Sequence, residues 1–424
     1  VITVRRTFWV MLALAAGAVL GITQSSRPDI FSRLLYFSGL LIAVCWLWTF
    51  FSLRGLSVQR QARVARQQVG QIFEERFLVN NSSAWLRLWV KIEDRSDLPG
   101  ASGSRVLGLL GGRQQRSYSA YSWLNRRGSF NLGPTELSSG DPLGLFVVRT
   151  IFLADNPLVV LPYMVELKSF PMPAGVLPGG RALRRRTVEV TPYAASVREY
   201  APGDGLNRIH WPTTARRNRL MVKEFDQDPQ ADVWIFVDAQ QSVQLSLDGE
   251  VATPRVDQLL IWRQKLEVSL TADTFEYAVS VAASVANYFI RLGRAVGLVC
   301  AGQVTTVVPA ERGERQLAKI LEILAFVRGK GDLSLLGLVE VEAPVLARGS
   351  TVVLVTPSCD RGVEMTADAL QQRNLNPVAV LLDRTTFGGA PSPLETALHL
   401  RARNIPTAMV RNGANLAAAL EEGF

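Results

Sequence analysis

Asp232-Val233-Trp234-Ile235-Phe236-Val237-Asp238 is a run of apolar residues closed at each end by a carboxylate. A stretch this short and apolar on both faces predicts a strand covered on both sides, as in a parallel sheet. The text after it repeats the pattern. Helices are expected over Thr274–Leu292, Glu314–Val327, Glu364–Arg373, Glu395–Arg403 and Ala414–Glu422. Strands are expected between them at Ala295–Cys300, Thr351–Val355, Pro377–Leu382 and Thr407–Val410. Such alternation predicts an α/β doubly wound domain over 231–424. Ligands of these sheets sit beyond the carboxyl ends of the strands, so Asp238 is the first residue to watch. The connection 244–273 is long and holds Leu259-Leu260-Ile261-Trp262, suited to an extra amphipathic helix or a partner surface.

Upstream the period changes. In Trp85-Leu86-Arg87-Leu88-Trp89-Val90-Lys91-Ile92 the apolar residues alternate, as one face of a strand requires. Asn80-Asn81-Ser82-Ser83 supplies a turn before it, and short strands follow at Arg105–Leu110, Ser117–Leu124, Ser129–Leu132 and Leu158–Leu161. This spacing predicts a small, Ig-like β-sandwich over 67–165. Prolines, glycines and an arginine run then mark 166–230 as a linker carrying a motif.

The chain has 424 residues, 46 Lys+Arg against 37 Asp+Glu, and a formal charge of +9. Seven of those nine charges fall before residue 67, where Asp29 is the only acid. They bracket two uncharged segments, about 7–26 and 34–53, each long enough to cross a bilayer as a helix. A basic nucleic-acid protein would carry its charge on the folded domain, so the expected partner here is membrane lipid and not nucleic acid. Arg5, Arg6, Arg54, Arg60, Arg63 and Arg66 flank the outer ends, against Arg27 and Arg33 in the loop. Positive-inside counting therefore predicts a multi-pass anchor in the cytoplasmic membrane, with the soluble domains in the cytoplasm. A cleaved signal peptide at the first segment is the rival reading, and leaves the large domain on the same side. Cys45, Cys300 and Cys359 are too few and too scattered for a disulfide framework, which fits a reducing compartment.

Two passages carry the identity. One is Arg127-Gly128-Ser129-Phe130-Asn131-Leu132-Gly133-Pro134, followed by Asp141-Pro142-Leu143-Gly144-Leu145-Phe146. The other is Arg198-Glu199-Tyr200-Ala201-Pro202-Gly203-Asp204, followed by Arg208-Ile209-His210-Trp211 and Ala215-Arg216. Together, ahead of a strand ending in Asp238, they resemble the bacterial domain-of-unknown-function family fifty-eight (DUF-58). That resemblance implies two N-terminal membrane helices, a β-rich segment and a von Willebrand factor A-like C-terminal domain. It also implies partnership with MoxR-type AAA+ ATPases, in assembly or maturation of envelope or enzyme complexes. The signature residues Arg198, Glu199, Tyr200, Gly203, Asp204, Arg208, Trp211 and Arg216 then form either a clasp, locked by a half-buried ion network, or a partner-binding site.

Two chemical readings compete with a scaffold. A von Willebrand factor A-like domain would hold Mg²⁺ through an Asp-x-Ser-x-Ser run, oxygen ligands that suit this hard cation. The run here is Asp238-Ala239-Gln240-Gln241-Ser242, with Gln240 replacing the first serine and Pro357 standing where another ligand is expected. Asp238 and Ser242 remain as a degenerate metal site, with Asp360 a possible substitute, and make a metal-dependent protein-binding module the alternative function. A membrane-bound hydrolase using Asp204 and His210 is the third reading. It lacks a nucleophile elbow, and no P-loop occurs, so no catalytic residue is assigned. His210 stands where the family more often has aspartate.

Overall fold

The computed structural model describes residues 2–24, 28–153, 157–171, 194–200, 209–225, 232–247 and 268–424. They form two compact units: Val1–Tyr163 with Asp248–Ala272 and Leu321–Val327, and the remainder of the chain.

The first unit begins with β1 (Ile2–Val4), α1 (Arg6–Gln24) and α2 (Pro28–Ser52). Helix α2 starts six residues earlier than expected: Pro28 is preorganised for a first turn, and Asp29 complements the helix dipole there. Both helices are long and apolar enough to cross a membrane, and only 6% and 17% of their most apolar windows is buried. Core helices of a soluble protein would be mostly covered; these present their leucines and aromatics outward.

The strands of this unit are β2 (Leu56–Ala62), β3 (Arg66–Gln68), β4 (Ile72–Asn81), β5 (Arg87–Asp94), β6 (Arg105–Leu110) and β7 (Gln115–Trp123). Then come β8 (Gly128–Asn131), β9 (Thr135–Gly140), β10 (Phe146–Phe152) and β11 (Pro157–Leu161). They assemble as β1-β10-β9-β5-β6, β2-β4-β7 and β3-β11-β8. Phe77 and Val79 of β4, Val90 and Ile92 of β5, and Leu137 of β9 share one core, so the first two sheets pack face to face. Period two drives this: Phe73, Glu75, Phe77 and Val79 are the inward residues of β4. Strand β5 starts later than expected, because Trp85 and Leu86 lie outside it and are exposed.

Arg60 corrects the charge count. It lies in β2 and is locked between Glu75 (2.6 Å) and Asp94 (2.8 Å), its side chain 2% exposed. It therefore cannot act as a free flanking charge.

The second unit opens with β12 (Ala194–Glu199), α3 (Trp211–Arg217) and β13 (Met221–Phe225), where β12 and β13 form an antiparallel hairpin around α3. It continues through β14 (Val233–Val237), α4 (Thr274–Arg291), β15 (Val296–Ala301), β16 (Thr305–Glu311) and α5 (Glu314–Phe326), of which the part from Leu321 on is counted with the first unit. It ends with α6 (Leu335–Glu342), β17 (Thr351–Thr356), α7 (Arg361–Gln372), β18 (Asn376–Leu382), α8 (Leu394–Ala402), β19 (Thr407–Val410) and α9 (Leu416–Glu421). The sheet order is β16-β15-β14-β17-β18-β19, parallel throughout except for β16. Phe236, Val299 and Leu354 face α6 and α7 across one core, and α4 packs against β14, β15, β17 and β18. The strands match the expectation closely, while β16 and α6 are additional. Chain order runs outward from β14 to β15 and then restarts on its other side at β17. The carboxyl ends of β14 and β17 are thus the switch point of the sheet. Leu259–Trp262 and most of the 244–273 connection lie outside the described residues.

Candidate functional site

At the switch point Asp238 leaves β14 with 2% exposure. Thr356, the last residue of β17, donates its hydroxyl to Asp238 Oδ2 at 2.6 Å. The Gln240 N–H donates to Oδ1 at 3.1 Å, and Gln244 Nε2 donates to the Asp238 carbonyl at 2.8 Å. The same Thr356 oxygen accepts the Ser358 N–H at 2.9 Å. Burial pushes the Asp238 carboxyl above its ordinary range; the Thr356 and Gln240 hydrogen bonds pull it back, and Asp360 pushes it further up. The loop after β14 is pinned as well. Gln241 N–H donates to the Gly331 carbonyl and Gly331 N–H to the Ala239 carbonyl. A side chain at position 331 would collide with the Ala301 carbonyl, so only glycine permits this approach.

This arrangement does not fit a Mg²⁺ site. Both oxygens of the carboxylate are engaged, and the Thr356 hydroxyl is spent as donor to one and acceptor from Ser358. Ser242 is exposed on the one-turn helix Gln241–Val243, and Asp360 accepts from Ser358 Oγ at 3.3 Å. Among the described residues, no three His, Cys, Asp or Glu side chains are grouped to hold a metal. Six oxygen ligands near 2.1 Å would require the knot to be dismantled.

The signature motif folds into the other candidate surface. Arg198 and Glu199 end β12, and the Tyr200 N–H donates to the Leu220 carbonyl at 2.9 Å. Helix α3 follows, with its first turn organised by His210. The His210 Nδ1 accepts the Thr213 N–H at 3.3 Å and shares a 2.7 Å hydrogen bond with Thr213 Oγ1. Pro212 falls in the first turn, where its missing N–H costs nothing. Asn218, with φ 51°, closes the helix in the left-handed conformation that Asn tolerates. Thr214 Oγ1 accepts the Met221 N–H at 3.0 Å and ties the helix to β13.

No side chain of α3 is buried; Trp211 is 65% exposed, and Arg216, Arg217 and Arg219 are exposed beyond it. Glu199 pairs with Arg219 at 2.9 Å, both largely in water, where such a pair contributes little. The side chain of Arg198, a member of the expected ion network, lies outside the described residues. Gly203, Asp204 and Arg208 lie outside the described residues. The sequence missed Arg217 and Arg219, although the run Arg216-Arg217-Asn218-Arg219 was there to read.

The role of His210 is architectural: it is the N-cap of α3. Aspartate is among the best N-caps, so an aspartate at this position would serve the same acceptor function. His210→Ala is expected to cost about 1 kcal/mol of local stability, while His210→Asp keeps the cap. Hydrogen exchange at the Thr213 and Thr214 amides reads this directly: faster in the alanine variant, unchanged or slower in the aspartate one.

Residues 196–250, from β12 through the switch-point loop, match the model of the family described as "Protein of unknown function DUF58". The chain is also 26% identical over 203 residues to the "Uncharacterized protein YeaD" of Bacillus subtilis (strain 168). That alignment covers 47% of this chain and 42% of the relative, so under half of the relative's length is spanned. Both matches support the DUF58 family. Among solved structures, a CARDB domain from Pyrococcus furiosus in complex with di-metal ions is 11% identical, covering 25% of this chain and 91% of that one at a TM-score of 0.18. The complex of zinc α2-glycoprotein and prolactin-inducible protein from human seminal plasma is 12% identical, covering 24% and 92% at a TM-score of 0.19. Neither similarity is close enough to inform the fold.

Proposed function

We propose that this is a membrane-anchored interaction protein, with its soluble units in the cytoplasm and the α3 surface as its docking site. The observation that carries the reading is the exposed Trp211 beside Arg216 and Arg217, on a helix that buries nothing. Tryptophan and arginine are the residues most enriched at binding hot spots, and neither gains stability from standing in water. The anchor is supported by the outward apolar faces of α1 and α2. The cytoplasmic placement rests on Arg5, Arg6, Arg54, Arg63 and Arg66 outside the hairpin against Arg27 and Arg33 within it. In this reading the sheets of the first unit are an Ig-like β-sandwich, and the second unit is a von Willebrand factor A-like domain that keeps the binding end of that fold without its metal. The proposed partner is a MoxR-type AAA+ ATPase, with a role in assembly or maturation of envelope or enzyme complexes.

Affinity capture of the full chain from detergent extract, with ATP hydrolysis blocked, should recover an AAA+ ATPase. Combining Trp211→Ala with Arg216→Glu should reduce recovery by about thirtyfold, the loss expected for one hot spot of roughly 2 kcal/mol. Thermal unfolding should be unchanged, because neither side chain is packed. Equal recovery by wild type and variant would remove α3 from the interface; failure to recover any such ATPase would remove the partner.

A further inference from the structure

The turn Asp141–Phe146 joins β9 to β10 and satisfies its own N–H groups. Asp141 is buried, and its Oδ1 accepts the N–H groups of Leu143 (2.9 Å) and Leu145 (3.1 Å). Its Oδ2 accepts the Phe146 N–H at 2.6 Å, and its carbonyl accepts the Gly144 N–H at 3.3 Å. Every N–H from Leu143 to Phe146 is therefore satisfied within the turn, and Pro142 has none to satisfy. On the acceptor side, the Thr7 hydroxyl donates to the Gly144 carbonyl, and the Arg5 N–H to the Leu145 carbonyl at 2.9 Å. Water would serve these groups without help; hydrocarbon cannot.

The side chains give an independent indication. Pro142 and Leu143 border one apolar recess with Leu40, Val44, Cys45 and Trp48 of α2. Leu145 and Phe146 are buried against Cys45, whereas Leu143 is 51% exposed. Cys45 lies seven residues, about 10 Å, before the end of α2. Trp46, Trp48, Phe50 and Phe51 occupy that last stretch, the composition of an interfacial aromatic belt. The turn thus spans from the belt, at Trp48, toward Leu40, in the part of α2 that would stand in hydrocarbon.

We infer that Asp141–Phe146 is a membrane-inserted wedge, with Pro142 and Leu143 in contact with lipid acyl chains. This rests on the reading of α1 and α2 as an anchor. The buried Asp141 takes the place of water for the turn, and the wedge fixes the first unit at a set depth.

Spin labelling of the full chain in phosphatidylethanolamine/phosphatidylglycerol nanodiscs tests it. Cys45 and Cys300 are buried and stay in place; Cys359 is changed to serine. Labels go at Leu143→Cys and separately at Pro142→Cys, with Leu47→Cys as the lipid-facing reference and Arg76→Cys as the aqueous one. The ratio of oxygen to nickel-chelate accessibility at 142 and 143 should match that at 47 and exceed that at 76 by about tenfold. A lipid-like value at 47 with aqueous values at both 142 and 143 overturns the wedge and leaves the anchor standing. An aqueous value at 47 overturns the anchor, and the wedge with it. Using two turn positions guards against one label disturbing the fold.

Discussion

Arg60→Met is expected to lower the stability of the first unit by about 3–5 kcal/mol at neutral pH. The guanidinium bonds Glu75 through Nε and Nη2 and Asp94 through Nη1 and Nη2. Both carboxylates are fully buried. Methionine fills similar volume but leaves two like charges facing each other away from water. Burial already holds the Glu75 carboxyl above its ordinary value of 4.5, with Arg60 pulling it down and Asp94 pushing it up. Without Arg60 it moves higher still. A carboxyl whose folded pKa exceeds its unfolded one loses stability as pH rises from the unfolded value through the folded one. The deficit of the variant should therefore shrink as the pH falls toward 4.5. Urea titrations at several pH values provide the check. Adding Glu75→Gln and Asp94→Asn should restore most of the loss; a loss below about 1 kcal/mol would show that the pair is worth no more than a surface one.

Thr356→Val is expected to cost about 2–3 kcal/mol in the second unit, since it strips a buried carboxylate and a buried amide of one shared partner. Thr356→Ser, which keeps the hydroxyl, should cost under about 1 kcal/mol. Asp238→Asn should act in the opposite direction. The Asp238 carboxyl is pushed above its ordinary 3.8 by burial, so its charge costs stability once the pH passes the folded value. An amide retains an acceptor for Thr356 or Gln240 without that charge. A gain of about 1 kcal/mol at pH 7, or roughly 2–4 °C in Tm, should disappear near pH 3.8. Millimolar Mg²⁺ should leave the Tm of the unmodified protein unchanged; a rise that Asp238→Asn abolishes would show the knot opening for a cation after all.

Much of this was legible in the sequence, and the exceptions have physical causes. Strands β14, β15, β17 and β18 are covered on both faces, so each reads as an uninterrupted apolar run. Strand β9 is equally central but is Thr135-Glu136-Leu137-Ser138-Ser139-Gly140, buried at every position. No hydrophobic pattern reveals it, because its small polar residues allow close approach: Ser139 donates to the Trp89 carbonyl at 2.7 Å. Arg60 was misread for the same reason in reverse, since a count of charges cannot see two carboxylates 15 and 34 residues away. At the switch point Asp238 announced itself by ending a strand. Thr356 did not, because a hydroxyl at the end of an apolar strand carries no signal of its own, yet it is what holds the carboxylate. Helix α3 was quoted as a motif but not as a helix: its cap is a histidine, which no ordinary capping signal includes.

The pairing of β1 with β10 has a consequence for how the chain is made. Ile2 lies opposite Val148 in that sheet, yet α1 and α2 separate them in the sequence. At about 5–20 residues per second, the first strand waits roughly 10–30 s for its partner to leave the ribosome. With the hairpin in a bilayer as proposed, α1 and α2 are inserted during that wait. The closing pair then forms only if the first residues and the sheet body have ended in the same compartment. Closing β1 onto β10 would thus act as a proofreading step on insertion. A molecule with β1 on the wrong face would keep an open edge on β10, a ready mark for aggregation or for quality-control proteases.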